Sequence, residues 1–298
     1  MAVGFVLVRI GLVREAGVRW LVLFVFNVAI PVMLFYRIAT SDFSAPVAWR
    51  FLFGYYASAF AAYGLGMLSA RFLFHRPIDD QAIHGLGAGF SNTVLLGIPL
   101  MLSAFGDQAT VPVFLIISFH SATLLPISIL LIEGGRQPGG QASQVRIARL
   151  ILEVLANPII VGILLGLGTN LLGLTLPGPV EAAARGMALV AIPCALLALG
   201  ASLAGYRLEG QIGPASVLAG IKLIVQPVLA WVLVVPILGL DAPWAPVAVV
   251  MAGLPSGAMV YLFGARYEAA TEVAASVVVI SSGVSVVTLS ILLVLMGA

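Results

Sequence analysis

Charged residues are scarce in this chain. Of its 298 residues, 14 are basic and 12 are acidic, which is 9% of the sequence, while 61% are hydrophobic. A soluble domain carries about 25% charged residues, because its surface must be hydrated. The composition therefore excludes a soluble enzyme, a secreted scaffold and a nucleic-acid-binding protein, and it predicts an integral membrane protein embedded in the lipid bilayer.

Cysteine and centrally placed acids are lacking as well. Cys194 is the only cysteine, so an internal disulfide and a cysteine-based metal site are excluded. Asp and Glu lie at the ends of the apolar segments or between them, never near a segment centre. This pattern disfavours a cation exchanger, which generally holds its ion with central carboxylates. We expect no metal, no cofactor and no enzymatic activity.

The chain consists instead of apolar runs. Ten can be delimited, and we expect helices, because a helix satisfies its own backbone hydrogen bonds in lipid. They lie near 2–13, 18–37, 48–70, 80–105, 109–132, 147–171, 182–204, 214–238, 244–265 and 270–296. The Gly- and Gln-rich stretch 136–146 predicts a cytoplasmic linker between a first five-helix repeat, residues 1–135, and a second, residues 147–298.

Three short motifs recur in the same order in both halves. Ala29-Ile30-Pro31 returns as Ala191-Ile192-Pro193 after 162 residues, Gly97-Ile98-Pro99 as Gly253-Leu254-Pro255 after 156, and Val3-Gly4 as Val161-Gly162 after 158. Composition bias is the alternative explanation. Because five helices is an odd number, the second half must enter the membrane from the opposite side, which predicts an all-α protein of two inverted repeats. The same offset predicts that segment 1 is truncated at its start.

The arginines predict the orientation. Nine lie in or beside the odd-numbered connections and three in the even-numbered ones. Basic residues concentrate in cytoplasmic loops. We therefore expect a multi-pass protein of the cytoplasmic (inner) membrane with both termini outside.

Segments 4 and 9 carry helix-breaking residues near their centres. Asn92 is the midpoint of segment 4, with Gly97 and Pro99 following it, and Pro255 is the midpoint of segment 9, next to Gly253. Proline removes a backbone donor and glycine lets the chain open, so we expect both helices to break and cross near the bilayer centre. An ordinary proline kink is the alternative. Half-helices that begin at such breaks direct positive N-terminal ends inward, which favours an anion.

Several polar side chains near these breaks are candidate substrate ligands. Asn92 is the best placed to bind a carboxylate, and Ser91, Thr93 and Ser256 supply hydroxyls. The alternative role of Asn92 is to cap the half-helix that follows it.

Two further ionisable residues lie inside apolar segments. Lys222, the only lysine, lies in segment 8, where it either faces the substrate site or extends to the cytoplasmic edge. His120, at the centre of segment 5, either takes part in proton coupling or bonds a neighbouring helix.

Four stretches resemble the auxin efflux carrier family, which includes plant PIN-type carriers and bacterial permeases proposed for malonate and malate. They are SNTVLLGIPLMLSAFG at 91–106, GLPSGAMVYLFGARY at 253–267, AIPCALLALGASL at 191–203 and KLIVQP at 222–227. The resemblance implies a ten-helix fold with crossovers in segments 4 and 9. It further implies that Asn92 and Pro99 are the binding asparagine and proline of the first crossover, and that Pro255 is the proline of the second.

By the same resemblance, residues 1–40 and 147–206 form a scaffold, and residues 44–132 and 212–298 form a moving transport unit. A homodimer through the scaffold helices is the expected assembly. The linker is short, unlike the long loop of many plant members, so the plant-specific regulation is not expected here.

These inferences lead to one functional hypothesis and two alternatives. We expect a secondary transporter that moves small organic anions, either mono- or dicarboxylates of the malonate or malate type or auxin-like acids, by elevator-type alternating access. A bile-acid-type sodium symporter and a membrane sensor that does not transport the anion are the alternatives.

Overall fold

In a computed structural model, the described residues are 2–40, 49–136, 156–205 and 211–297, and throughout them the secondary structure is helical, without any strand. The predicted linker after residue 136 and the beginning of predicted segment 6 lie outside these ranges. Six helices within the described ranges are long and apolar enough to span a bilayer, and a shorter apolar helix accompanies them. The fold is thus that of an all-α membrane protein.

The helices of the first half follow the predicted segments. Their bounds are α1 Ala2–Arg9, α2 Glu15–Phe24, α3 Ile30–Ala39, α4 Trp49–Phe72, α5 Ile78–Gly89, α6 Ile98–Phe105 and α7 Thr110–Arg136. Two π-helical turns, Val25–Ala29 and Thr93–Gly97, lead into α3 and α6, and the 3₁₀ turn Gly106–Ala109 leads into α7.

The helices of the second half follow in chain order. Their bounds are α8 Pro158–Leu171, α9 Gly178–Gly205, α10 Ile212–Gly220, α11 Gln226–Val232, α12 Trp244–Ala252, α13 Met259–Tyr267 and α14 Thr271–Leu295. The π-helical turns Ile221–Val225 and Leu233–Ile237 flank α11. Segments 4 and 9 therefore each consist of two shorter helical pieces.

The chain divides into two compact units. Of the described residues, the first contains 2–40, 94–118 and 156–205, and the second contains 49–93, 119–136 and 211–297.

Close helix contacts through glycine hold the first unit together. A Cβ atom on Gly4 of α1 would collide with the carbonyl of Leu197 in α9, and one on Gly162 of α8 would collide with the carbonyl of Pro31 in α3. Asn170 of α8 also donates its side-chain amide to the carbonyl of Ile38, at 3.1 Å, near the end of α3. This bond satisfies one of the carbonyls that a helix end leaves without an intrahelical partner.

The second unit is built around a buried apolar cluster. Its members come from α4, α5, α7, α10, α13 and α14, and they include Tyr63, Leu86, Leu218, Phe263 and Val277. Glycine again permits close packing, since a Cβ atom on Gly66 of α4 would lie 2.6 Å from the carbonyl oxygen of His84 in α5. This cluster includes residues of α5 and also Phe90, where the chain leaves the helical conformation.

Candidate functional site

The breaks in segments 4 and 9 pair with each other inside the second unit. Ser91 and Ser256 form an isolated antiparallel β-bridge. On one side of it, the N–H of Asn92 donates to the carbonyl of Pro255 at 2.9 Å; on the other, the N–H of Gly257 donates to the carbonyl of Phe90 at 3.0 Å. Unwound backbone inside a membrane protein needs such partners, because lipid supplies none.

The local sequence explains why the chain can open here. Helix α5 ends at Gly89, and Phe90 has extended backbone angles, φ −89° and ψ 110°. In segment 9, Pro255 lacks an N–H but supplies the carbonyl that Asn92 uses. A Cβ atom on Gly257 would lie 2.9 Å from Cδ1 of Phe90 and 3.2 Å from the carbonyl oxygen of Ser91, so a glycine is needed for this approach.

Asn92 lies at the pairing with its side-chain amide uncommitted. The residue is 7% exposed, its backbone N–H donates to Pro255, and its side-chain amide has no hydrogen-bond partner within the described residues. No capping hydrogen bond from its side chain is present in the described part of the chain. The geometry therefore leaves this amide available to a ligand.

The predicted hydroxyl ligands differ in their surroundings. Ser256 is committed to the protein, because its Oγ donates to the carbonyl of Gly87 at 2.6 Å and its N–H donates to Oγ of Ser281 at 3.1 Å. The hydroxyl of Ser91 is buried and interacts with the buried hydroxyl of Tyr55 rather than with a backbone carbonyl in the described ranges. Thr93 is also buried, with 5% of its surface exposed. Ser91 is therefore the freer of the two bridge serines.

His120 supports the first break directly. Its Nε2 accepts the N–H of Ser91 at 2.9 Å, and its ring centroid lies 4.6 Å from that of Phe90. Because Nε2 is an acceptor here, a neutral imidazole must carry its proton on Nδ1. A proton arriving at Nε2 would compete with the backbone bond that holds Ser91.

Lys222 supports the second break. The residue is fully buried, and its Nζ donates to Oε1 of Gln226 and to the carbonyl of Ala252, each at 2.6 Å. Ala252 is the last residue of α12, so the ammonium lies at the negative end of that half-helix. Lys222 thus faces the interior of the unit rather than its surface.

The remaining predicted residues shape the backbone. Gly253 follows α12 directly, and a Cβ atom there would collide with Cδ1 of Leu292. Gly97 and Pro99 belong to the first unit, where Gly97 ends the π-helical turn and Pro99 lies in the first turn of α6. Because proline lacks an N–H and its ring clashes with the preceding turn, the wider π-helical turn before Pro99 accommodates it.

Two clefts lie among the described residues, and crossover residues line neither of them. One, of about 470 Å³, lies in the first unit between Asn27, Phe35, Ala156 and Leu165. The other, of about 360 Å³, lies in the second unit and is lined by charged residues such as Arg76 and Glu268. The paired breaks are instead closely packed.

Three residues that the sequence pattern does not point to also belong to this site. Tyr55 is fully buried, with its ring centroid 6.0 Å from that of His120, and Gln226 and Ser281 bond Lys222 and Ser256. Gln226 follows Lys222 by four residues, a spacing that places two side chains on one helix face. The sequence offers no comparable signal for Tyr55 or Ser281, whose contacts come from distant helices.

Paired helix breaks inside an apolar helical protein are typical of membrane transport proteins. A family model described as "Membrane transport protein" matches residues 1–293, and the chain belongs to this family, the auxin efflux carrier family. A curated protein of Rhizobium meliloti (strain 1021), named "Putative malonate transporter", is 25% identical over 276 residues, which cover 92% of this chain and 85% of that protein. The resemblance found in the sequence is confirmed.

Proposed function

We propose that this protein is a secondary transporter that moves small organic anions across the cytoplasmic membrane by elevator-type alternating access. Mono- or dicarboxylates of the malonate or malate type are the first choice of substrate, and auxin-like acids are the second. One observation carries the proposal. Among the described residues, the buried interior contains one cationic side chain, Lys222, beside the paired breaks, and no carboxylate.

Two helix N-termini and the ammonium of Lys222 supply positive charge at the breaks. Helical structure resumes at Thr93 after the first break and at Met259 after the second. The N-terminal end of a helix attracts anions, since its first N–H groups have no intrahelical acceptors. The opposite, negative end of α12 is compensated by Lys222. The C-terminal end of α5 adds a second negative helix end at the breaks. The full charge of the Lys222 ammonium exceeds it, so the sum stays positive and favours a carboxylate.

Each predicted residue has a role in this proposal. The amide of Asn92 and the hydroxyls of Ser91 and Thr93 bind the substrate. Gly97, Pro99, Gly253 and Pro255 shape the backbone of the crossovers, while Ser256 and Lys222 hold the second crossover in place. His120 couples a proton to the first.

We also propose the finer architecture of ten spans in two inverted repeats. The scaffold would comprise residues 1–40 and 147–206 and form the homodimer, the transport unit would comprise residues 44–132 and 212–298, and both termini would lie outside. The glycine contacts of the first unit support the repeat. Gly4 and Gly162 are repeat equivalents, and they approach α9 and α3, the helices that carry the matching Ala-Ile-Pro motifs.

The test is uptake of labelled malonate into liposomes containing the purified protein. We expect uptake by the native protein, and in Asn92→Ala a loss of affinity of about ten- to 150-fold, because a hydrogen bond to a charged ligand is worth about 1.5–3 kcal/mol. Asn27→Ala is the matched control, since the amide of Asn27 bonds the carbonyl of Leu23 in the first unit. Equal losses in the two variants would refute the binding role of Asn92.

The same assay separates the alternatives. A sensor would bind malonate without moving it into the liposomes. A sodium symporter would lose uptake when choline replaces sodium, whereas we expect the native protein to be indifferent to that replacement.

A further inference from the structure

The surroundings of Lys222 resemble the coordination of a small cation. Its Nζ contacts two oxygen atoms, Oε1 of Gln226 and the carbonyl oxygen of Ala252, both at 2.6 Å. No carboxylate within the described residues pairs with this ammonium. Amide and carbonyl oxygens are ligands that hard metal cations also take.

The carbonyl of Ala252 lies where α12 ends and the second break begins. It belongs to the last residue of α12, and the unwound stretch that pairs with Ser91 and Asn92 begins immediately after it. The last carbonyls of a helix carry partial negative charge and have no intrahelical donor, so they need a hydrogen-bond donor or a cation. Lys222 therefore fixes the point from which the second break departs.

The neighbouring sequence holds the second acceptor in place. Gln226 is fully buried and follows the π-helical turn Ile221–Val225, and Pro227 comes directly after it. Lys222 lies within that turn, so both side chains project from one short, irregular stretch. Single π-helical turns frequently occur at functional sites.

We propose that Lys222 is a tethered cation: its ammonium occupies the position that a free metal cation would need to fill to hold the end of α12. It is a positioning residue that acts through the backbone of Ala252, and it makes the protein independent of sodium and potassium. The inference can be tested by melting temperature and by malonate uptake, and only the uptake measurement rests on the proposed transport function.

The test removes the ammonium and offers a free cation in its place. In Lys222→Ala the position is emptied, and in Lys222→Ala/Gln226→Glu a carboxylate faces the carbonyl of Ala252 and can recruit sodium. Apparent melting temperature and malonate uptake are measured for both variants and the native protein in sodium, methylammonium or choline chloride at equal ionic strength. Gln81→Glu is the control, because the amide of Gln81 bonds the carbonyl of Arg76, away from the breaks.

We expect native protein and Gln81→Glu to be the same in all three salts. Lys222→Ala should regain uptake with methylammonium, and the double variant should require sodium, each by about tenfold over choline, which corresponds to about 1.4 kcal/mol. Melting temperatures should rise with the same cations.

The inference is overturned if neither variant responds to any cation, or if neither can be recovered folded in cation-containing buffer. Cation-dependent melting without malonate uptake by any form, including the native protein, would refute the proposed substrate and leave the role of Lys222 standing. If Lys222→Ala melts at a lower temperature and no cation raises that temperature again, the side chain only fills space, and the inference is also overturned.

Discussion

The contact between His120 and Ser91 ties a titratable side chain to the backbone of the first break. The imidazole accepts the N–H of Ser91 through Nε2, and an imidazolium could not accept that bond. Protonation at this nitrogen would therefore release Ser91, the residue that bridges to Ser256. A proton could in this way loosen the pairing of the two breaks.

His120→Gln separates the structural role of this residue from proton coupling. Glutamine keeps an acceptor oxygen for the N–H of Ser91 but cannot titrate. We expect the variant to retain malonate uptake and to lose the dependence of that uptake on a proton gradient, as measured in liposomes with and without an imposed pH difference. Unchanged gradient dependence would leave His120 with the structural role alone.

The sequence predicts the position of Asn92 at the break but not the contacts of Lys222. The position of Asn92 followed from its place at the centre of an apolar segment with Gly and Pro beside it. The contacts of Lys222 did not, because a long flexible stem can reach either the surface or the interior. Only the packing of α11 and α12 in three dimensions decides between these, and it places the ammonium against Ala252.

At the level of helices, π-helical turns accompany several of the prolines. The turns Val25–Ala29, Thr93–Gly97 and Ile221–Val225 each end two residues before a proline, namely Pro31, Pro99 and Pro227. Proline cannot donate to the preceding turn and its ring clashes there, so a wider turn relieves both problems. The sequence predicted interruption at Pro99 but not this geometry, because a kink, a break and a π-helical turn all begin from the same residue.

The packing of the two breaks gives a prediction for Gly257. A Cβ atom on Gly257 would press on Phe90 and on the carbonyl of Ser91, whereas one on Gly283 of α14 would meet no atom within 4 Å. We expect Gly257→Ala to destabilise the protein by about 1–3 kcal/mol through overpacking. Gly283→Ala, the control, should be neutral or stabilising by up to about 1 kcal/mol, since alanine favours a helix.

Thermal unfolding in detergent, followed by circular dichroism, compares these two variants with the native protein. If Gly257→Ala melts at the same temperature as Gly283→Ala, the close approach of Gly257 to Phe90 is not a feature of the folded protein.

The antiparallel pairing of Ser91 with Ser256 could not have been predicted residue by residue. Broken helices were expected from Pro and Gly in segments 4 and 9, and the structure has breaks at both positions. Which backbone groups meet depends on how the two breaks approach each other in space, and 165 residues separate the two serines in the sequence.

For the molecule as a whole, the distribution of arginines predicts which connections face the cytoplasm. Leu73 follows α4 in an odd-numbered connection and Leu174 follows α8 in an even-numbered one, and both leucines are exposed. In a Cys194→Ser background, Leu174→Cys should react with an impermeant thiol reagent in intact cells. Leu73→Cys should react only after permeabilisation. The reverse pattern would invert the proposed topology.

The most direct test of the central claim compares an acid with its neutral amide. A site that combines two helix N-termini with a buried ammonium should select negative charge. The measurement is uptake into liposomes of labelled malonate and of malonamide, which has a similar size and lacks the charge, at one pH. We predict that malonate is transported and the diamide is not; equal transport of the diamide would contradict an anion-selective site.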